Sequence, residues 1–353
     1  MPDHAGAAQA DPAPAGQEDD GERLLFAPLT QDEVRNCAFS SWYPRLRRAT
    51  FESSIIKPLE RDFVDYLLAD GLYVPDAAAK VYHGEIETHG SSGSEWSDSE
   101  DGSGEDCDDG QRAASAPGVG RTTADIRRRI EAMGGLVFPR MGWSAPTDAS
   151  WAATTRTLKC REPADVCSLL KSSDKIARDL TTGRYGLPPD GTEPELVLRR
   201  WANLIPSMMF RCFVKGRRLR AISQVDYHHH AYLDEMRDEI TARVTQLFDT
   251  HVAPAIASES YCFDAYLAQS RDKTYVLDVE PWTPTVDSCL FEWRELAAAG
   301  DAFLGLRLFP AALNGMAHFS AKHLTNRYPV ELTSEASHGT ISALIDRMRE
   351  EIE

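Results

Sequence analysis

Three carboxylates fall on one face of two neighbouring stretches of alternating sequence. Residues 274–282 read TYVLDVEPW, in which Asp278 and Glu280 lie on the side opposite the apolar positions. Residues 261–266 read YCFDAY, in which Asp264 lies opposite the apolar positions. Carboxylates held this close repel one another, and proteins relieve that repulsion by protonation or by binding a hard cation. The pattern therefore predicts a magnesium site.

The two stretches are expected to form an antiparallel hairpin, because only the short polar run AQSRDK separates them. If the turn centres on Arg271, Asp264 lies directly opposite Asp278, and Glu280 lies two residues further along the same face. The alternation directs Leu277 and Val279 towards a core. The strands that carry the three carboxylates are thus predicted to be neighbours.

Cationic residues precede the acidic hairpin at other predicted strands. Arg140 ends the strand LVFPR, Arg199 follows the apolar strand ELVL, and Arg211 and Lys215 share one face of MFRCFVK, which Gly216 turns into a return strand. Arginine and lysine neutralise phosphate oxygens, and carboxylates hold the metal that bridges those oxygens. The set matches a triphosphate with magnesium. Neither G-x-x-x-x-G-K-[ST] nor G-x-G-x-x-G after a strand occurs, which disfavours a P-loop or Rossmann site.

Each of these features has a simpler structural interpretation. Arg140 and Arg211 could form ordinary ion pairs, and an Asp-x-Glu strand is usually a solvated face. The three histidines at 228–230 suggest a metal site, but three consecutive side chains do not share one face of a strand. The residue types alone leave these alternatives open.

Charge is concentrated in two segments of the 353-residue chain. Residues 85–109 carry −10 and residues 1–31 carry −5 of the total of −17, so the remainder carries only −2. This near-neutral remainder argues against direct binding of nucleic acid. No apolar run is long enough for a membrane span, and the seven cysteines show no C-x-x-C pair. We expect a cytoplasmic, monomeric protein without a membrane segment.

Helical spacing predicts several further elements. They are a helix at 58–69 stopped by Gly71, a basic amphipathic helix at 123–133, a helix, break and helix at 164–180, a helix at about 234–251, a helical run SCLFEWREL at 288–296, and a closing helix from about 341.

Long motifs in a fixed order resemble the cell division cycle protein 123 family. They cover about residues 34–300 and are FSSWYP at 39–44, VFPRMGWSAPTDASW at 137–151, LLKSSDKIARDL at 169–180, ELVLRRW at 195–201, FRCFVKGRRLRAISQVD at 210–226, FDAYL at 263–267, and LDVEPW followed by TVDSCLFEWREL within 277–296. The number, length and order of these motifs make the resemblance specific.

The resemblance implies an α+β ATP-grasp fold, in which two α+β subdomains sandwich ATP between antiparallel sheets. It predicts an ATP-grasp domain at 32–335 between a disordered acidic tail at 1–31 and a C-terminal helix at 336–353. A disordered acidic insertion at 84–121 interrupts that domain. The implied function is an ATP- and magnesium-binding chaperone that binds the gamma subunit of translation initiation factor 2. It would promote heterotrimer assembly and support translation initiation and cell-cycle progression.

The alternative is an ATP-grasp ligase that activates a carboxylate as an acyl-phosphate. Both functions use the same nucleotide site, so the motifs alone do not separate them. An acceptor pocket would distinguish the ligase, and the sequence shows no signal for one.

The resemblance also assigns roles to individual residues. Asp264, Asp278 and Glu280 are implied magnesium ligands. The remaining implied nucleotide contacts are the loop residues Trp143, Ala145 and Asp148 over the nucleotide, the linker-strand residues Val197, Leu198 and Arg199 against adenine through backbone groups, and Arg140, Arg211 and Lys215 near the phosphates.

Three positions depart from the family pattern. Glu280 stands where asparagine is usual, which keeps an oxygen ligand but adds a negative charge that could tighten metal binding or repel the γ-phosphate. Arg140 replaces lysine and offers a planar fork instead of a point charge. Val225 replaces arginine and removes one positive group near the site.

Overall fold

Two β-sheets with helices packed on them organise the chain. This computed structural model describes residues 26–71, 74–75, 115–153, 155–185, 187–188, 191–268 and 273–313. The predicted tail up to residue 25, the predicted acidic insertion up to residue 114 and the predicted C-terminal helix therefore lie outside the described residues.

The first half contains a three-stranded antiparallel sheet. Its strands are β1 (Ser53–Ile56), β2 (Val137–Met141) and β3 (Leu196–Arg200), in the order β1-β3-β2. The helices up to this point are α1 (Gln31–Asn36), α2 (Phe39–Leu46), α3 (Arg61–Leu68), α4 (Pro117–Ala132), α5 (Pro163–Lys171) and α6 (Asp174–Thr181).

Local sequence sets where α5 and α6 begin. Pro163 suits the first position of α5 because that position needs no N–H, and Glu162 and Asp165 form a capping box there. The Ser173 side chain accepts a hydrogen bond from the Ile176 amide at the start of α6. The predicted helix, break and helix over 164–180 is confirmed.

The helix α4 begins earlier than the sequence predicted. It starts at Pro117, six residues before Thr123, because proline suits the first helical position. The Gly118 amide also donates to the Asp62 carboxylate on α3, at 2.8 Å. The predicted end of the acidic insertion at residue 121 is therefore wrong, and the helix replaces its last five residues.

Apolar side chains fix the helices of the first half on its sheet. Phe63 and Tyr66 from α3 and Ile126 from α4 are fully buried in one core with strand residues. Burial of each such side chain contributes about 1.5–3 kcal/mol. This packing fixes the positions of β2 and β3, the strands that carry Arg140 and Arg199.

The second half contains a five-stranded sheet. Its strands are β4 (Met209–Lys215), β5 (Arg218–Gln224), β6 (Tyr261–Leu267), β7 (Thr274–Pro281) and β8 (Gly305–Arg307). The order is β7-β6-β4-β5-β8, with antiparallel neighbours except for the parallel pair β5 and β8. The predicted cationic and acidic hairpins are confirmed.

Helices of the second half follow the prediction in one region and depart from it in another. The segment predicted as a helix at 234–251 forms α7 (Ala231–Glu235) and α8 (Arg237–Leu247), which continues through a π-helical turn (Phe248–Val252) into α9 (Ala253–Ala255). The prediction of a helix over 288–296 is wrong, because helix α10 covers only Trp293–Ala298. In the described ranges, no helix is long and apolar enough to cross a membrane.

The aromatic cluster of the FSSWYP motif belongs to the core of the second half. Phe39 packs against Trp42 with ring centroids 4.5 Å apart and against Tyr43 at 5.0 Å. Phe39 is fully buried, and all three residues lie in the core cluster that includes β4, β6 and β7. The cluster thus anchors α2 on the second sheet.

A bulge in β7 sets the register of the carboxylates. Ala265 pairs with Val276, whereas Asp264 pairs with Asp278, so Leu277 is the extra residue between the two pairs. Both Val276 and Leu277 are buried for this reason. Asp264 and Asp278 lie opposite each other, as the sequence predicted.

The two halves meet along the outer edge of β7. The Val276 amide donates to the Ala49 carbonyl at 2.7 Å, and the Thr50 hydroxyl donates to the Val276 carbonyl at 2.6 Å. Ala49 and Thr50 directly precede the segment that enters β1. These contacts bring the first sheet beside the acidic hairpin.

Candidate nucleotide and metal site

Arg211 on β4 connects two of the three carboxylates. Its guanidinium holds Asp264 with two parallel bonds, from Nε to Oδ1 at 2.8 Å and from Nη2 to Oδ2 at 2.9 Å. Nη2 also lies 2.9 Å from Glu280 Oε2, and Nη1 donates to the Asp287 carbonyl at 2.9 Å. Arg211 is buried, so these charge-assisted bonds are shielded from water.

Asp278 pairs with an arginine from the other half of the molecule. Arg140 Nη1 on β2 lies 2.9 Å from Asp278 Oδ1, and the Arg140 side chain is only 3% exposed. The same guanidinium donates to the carbonyls of Met141 and Trp143. This desolvated ion pair joins the two halves at the predicted site.

Arg199 adds positive charge beside that pair. Its guanidinium donates to the Leu277 carbonyl at 2.6 Å and to the Thr50 hydroxyl at 3.0 Å, and it lies over the Phe39 ring at 5.4 Å. Burial lowers the pKa of Arg199 to about 10; Arg140 adds to the lowering and Asp278 opposes it. Among the described residues no carboxylate lies within 4 Å of Arg199. The surroundings therefore favour an added anion.

The sequence did not identify Arg184 as part of this cluster. Its Nη2 lies 3.6 Å from Glu280 Oε1, and its Nη1 donates to the Ser144 hydroxyl at 2.6 Å and lies 3.3 Å from Asp179 Oδ2. Arg184 sits in a Gly- and Pro-rich segment without strand or helix periodicity. No sequence pattern pointed to its position.

Glu280 is the carboxylate whose charge is least favoured. Burial raises the pKa of the Glu280 carboxyl above its ordinary value, and the nearby Asp264 and Asp278 raise it further. Arg211 and Arg184 oppose that rise without cancelling it. The surroundings of Glu280 thus disfavour its negative charge.

The three carboxylates have the ligand chemistry that a hard cation needs, but in this structure they contact arginines. Asp264, Asp278 and Glu280 supply only oxygen atoms, which is what Mg²⁺ prefers, and Arg211 alone contacts two of them. In the part of the chain that the structure describes, no three His, Cys, Asp or Glu residues are grouped to hold a metal. Arginines occupy the carboxylate oxygens instead.

Two residues predicted to contact the nucleotide bond to other groups in this structure. Lys215 Nζ donates to the Ala297 carbonyl at the end of α10, at 2.6 Å, and its contact with phosphate stays a prediction. Asp148 accepts hydrogen bonds from the Ser173 hydroxyl at 2.6 Å and the Lys175 amide at 3.1 Å. Asp148 therefore caps α6, where helix amides lack internal partners.

The loop after β2 is held by its own contacts. The Trp143 indole donates to the Val34 carbonyl at 3.2 Å, and the Ala145 carbonyl accepts from the Thr147 amide at 2.8 Å. The first of these bonds ties the loop to α1. Trp143 and Ala145 follow Arg140 closely in the chain, and the structure leaves their role over a nucleotide as a prediction.

The linker strand is the central strand of the first sheet. In β3, Val197, Leu198 and Arg199 each have a partner on both β1 and β2. The contact of their backbone groups with adenine stays a prediction. The Arg199 side chain bonds to β7, beside the carboxylates.

The three histidines form hydrogen-bonded pairs with aspartates. His228 Nδ1 and His230 Nε2 each lie 2.7 Å from one oxygen of Asp226, and His229 Nε2 lies 2.9 Å from Asp234 Oδ2. These contacts agree with the interpretation that the histidines are not a metal centre.

Two α+β halves with largely antiparallel sheets enclose an arginine–carboxylate cluster. The predicted α+β fold is confirmed. The model of the D123 family matches residues 42–336, and the chain belongs to that family.

Curated proteins and solved structures support this assignment. A translation initiation factor eIF2 assembly protein of Aspergillus fumigatus is 34% identical over 294 residues, covering 79% of this chain and 66% of that protein. A protein of the same description from Xenopus tropicalis is 35% identical, covering 76% of this chain and 79% of that protein. The structure of Cdc123 from Schizosaccharomyces pombe matches with a TM-score of 0.62 at 29% identity, covering 81% of this chain and all of that one.

Proposed function

We propose that this protein is an ATP- and magnesium-binding assembly chaperone of translation initiation factor 2. It binds the gamma subunit of that factor and promotes assembly of the heterotrimer, which supports translation initiation and cell-cycle progression. It acts in the cytoplasm as a monomer. The observation that carries the proposal is the buried arginine–carboxylate cluster between two halves of a chain whose relatives are described as eIF2 assembly proteins.

Within this proposal, contacts with ATP and Mg²⁺ replace the ion pairs between the arginines and the carboxylates of the cluster. Asp264, Asp278 and Glu280 would hold Mg²⁺, and Arg140 and Arg211 would hold phosphate oxygens. Bound Mg²⁺ would supply positive charge that neutralises the phosphates. Without ligand, the ion pairs at 2.8–2.9 Å keep these buried charges compensated. With ligand, each carboxylate and each arginine still has a partner of opposite charge.

The descriptions of the relatives favour an assembly role over the ligase alternative. Both functions would use the same nucleotide site, so the cluster does not separate them. The partner is therefore the property to test.

The test is recovery of the gamma subunit from cell extract on immobilised protein, with and without ATP and Mg²⁺. We expect recovery that ATP and Mg²⁺ increase for the wild type and that Asp278→Ala weakens. A matched control is Asp249→Ala, because Asp249 is an exposed aspartate on the second half. No recovery, together with ADP formation that depends on an added small carboxylate, would contradict the chaperone and favour the ligase.

A further inference from the structure

Two backbone hydrogen bonds between Arg184 and Leu187 hold the segment that presents Arg184 to the cluster. The Arg184 amide donates to the Leu187 carbonyl at 3.1 Å, and the Leu187 amide donates back to the Arg184 carbonyl at 2.9 Å. Gly183 and Tyr185 on either side have positive φ values of 82° and 54°. These left-handed residues reverse the chain around Arg184 and project its side chain towards β7.

One terminal nitrogen of Arg184 is anchored on the first half. Nη1 bonds to the Ser144 hydroxyl at 2.6 Å and lies 3.3 Å from Asp179 Oδ2. The guanidinium also stacks over the Tyr185 ring at 4.6 Å. Three contacts therefore hold the group in place without help from β7.

The second terminal nitrogen is engaged less fully. Nη2 lies 3.6 Å from Glu280 Oε1, beyond normal hydrogen-bond length. The other carboxylate oxygen of Glu280 already has a 2.9 Å contact with Arg211. Arg211, in contrast, uses all three of its nitrogens at 2.8–2.9 Å. Arg184 can thus take a new acceptor at a smaller cost in existing bonds than Arg211.

Solvent reaches the Arg184 side of the cluster. Arg184 and Asp179 line a cavity of about 90 Å³ together with Val34 and Trp143. The Arg184 side chain is 16% exposed, compared with 3% for Arg140 and 8% for Arg211. A charged ligand can therefore approach Arg184 more readily than its strand-borne neighbours.

We propose that Arg184 is a further nucleotide-binding residue, whose Nη2 donates to the polyphosphate while Nη1 stays on Ser144 and Asp179. This inference rests on the proposed function. It assigns the residue to recognition of phosphate charge and not of the base. Movement of Nη2 from Glu280 to a phosphate would also leave Glu280 Oε1 free for Mg²⁺. The same movement would therefore favour binding of both the phosphate and the metal.

Calorimetric titration of ATP and AMP, each with Mg²⁺, tests the assignment. Arg184→Met should weaken ATP binding by about tenfold or more, as expected for one lost charge-assisted bond. It should change AMP binding by less than about threefold, since AMP has no polyphosphate. Arg178→Met is the matched control, because Arg178 is an exposed arginine on α6, and we expect its ATP affinity to stay within about twofold of the wild type.

Arg184→Lys covers the case in which Arg184→Met does not fold, with thermal unfolding as the check. A single ammonium cannot hold Ser144, Asp179 and a phosphate at once, so we expect an intermediate loss of about three- to tenfold for ATP alone. Wild-type ATP affinity in the folded variants would overturn this inference and leave the proposed function standing. Equal losses for ATP and AMP would also overturn it, by showing a general structural role. Absence of ATP binding by the wild type would overturn the proposed function and this inference together.

Discussion

Each carboxylate of the cluster is balanced by an arginine from a different part of the chain. Arg211 on the neighbouring strand holds Asp264, and Arg140 from the other half holds Asp278. Glu280 receives one close contact from Arg211 and one longer contact from Arg184. The three carboxylates thus differ in how tightly arginines hold them. Glu280 has the longest of these contacts.

Glu280→Asn should be tolerated by the nucleotide site. An amide oxygen can replace a carboxylate oxygen as a ligand, and the change removes a charge that the surroundings disfavour. We expect ATP affinity within about threefold of the wild type by calorimetry, since an amide oxygen takes the place of a carboxylate oxygen. Loss of ATP binding in a folded Glu280→Asn variant would contradict the assignment of Glu280 as an exchangeable ligand.

The difference in stability between Glu280→Asn and the wild type should increase as pH rises. The pKa of Glu280 is raised in the folded protein, mainly by burial, so its carboxyl favours folding when protonated. That contribution is lost as pH rises through the folded-state pKa. The melting temperature of Glu280→Asn minus that of the wild type should therefore increase from mildly acidic to neutral pH. A difference that falls as pH rises would show that the ion pairs outweigh burial.

Lys215→Met should leave ATP affinity unchanged within about twofold, because Lys215 bonds to the end of α10 and not to the cluster. Arg211→Met is the informative comparison. It leaves Asp264 and Glu280 without their shared cation and should cost about 3–5 kcal/mol of unfolding free energy. Urea denaturation and calorimetry measure both effects. A tenfold loss of ATP affinity in Lys215→Met would instead support the predicted contact of Lys215 with phosphate.

At the scale of elements, Asp148 links the loop after β2 to the start of α6. Asp148→Ala removes acceptors for the Ser173 hydroxyl and the Lys175 amide and should lower the free energy of unfolding by about 1–2 kcal/mol. Asp148→Asn keeps one acceptor and should lose less. Denaturant titration of the three proteins provides the measurement. Unchanged stability with lost ATP binding would assign Asp148 to the nucleotide instead.

The strands of the acidic and cationic hairpins were predictable because their side chains alternate between core and site. The pairing of Asp264 with Asp278 followed from the position of the turn. The bulge at Leu277 was not predictable, since both residues before Asp278 are apolar and either could face the core. Tertiary packing decides such a choice.

Polar side chains explain why the helix predicted over 288–296 does not form in full. The Cys289 amide donates to the Asp287 carboxylate at 2.8 Å, and the Leu290 amide donates to the Ser223 hydroxyl at 3.1 Å. These bonds give the backbone an alternative to the predicted helix over 288–296. Arg184 was missed for a related reason, because its turn is held by backbone bonds that no side-chain pattern records.

At the scale of the whole molecule, the site exists only where the two halves meet. Each half has its own buried core, whereas Arg140, Arg184 and Arg199 reach across to β7 from the first half. The sequence predicted both sets of charges, but the family resemblance was needed to expect them in one place. A ligand that replaced the cross-half ion pairs would also change how the halves are held together.

The most direct test of the account is calorimetric titration of ATP with Mg²⁺ into the wild type, Asp278→Ala, Asp278→Asn and the exposed control Asp249→Ala. Thermal unfolding shows which variants are folded. We predict ATP binding by the wild type and Asp249→Ala, and a loss of about 100-fold or more in Asp278→Ala, which lacks the proposed ligand oxygen between the halves. Asp278→Asn keeps one oxygen but loses the charge paired with Arg140, so we expect a smaller loss of about tenfold. Wild-type ATP affinity in a folded Asp278 variant would contradict the proposed magnesium–nucleotide site.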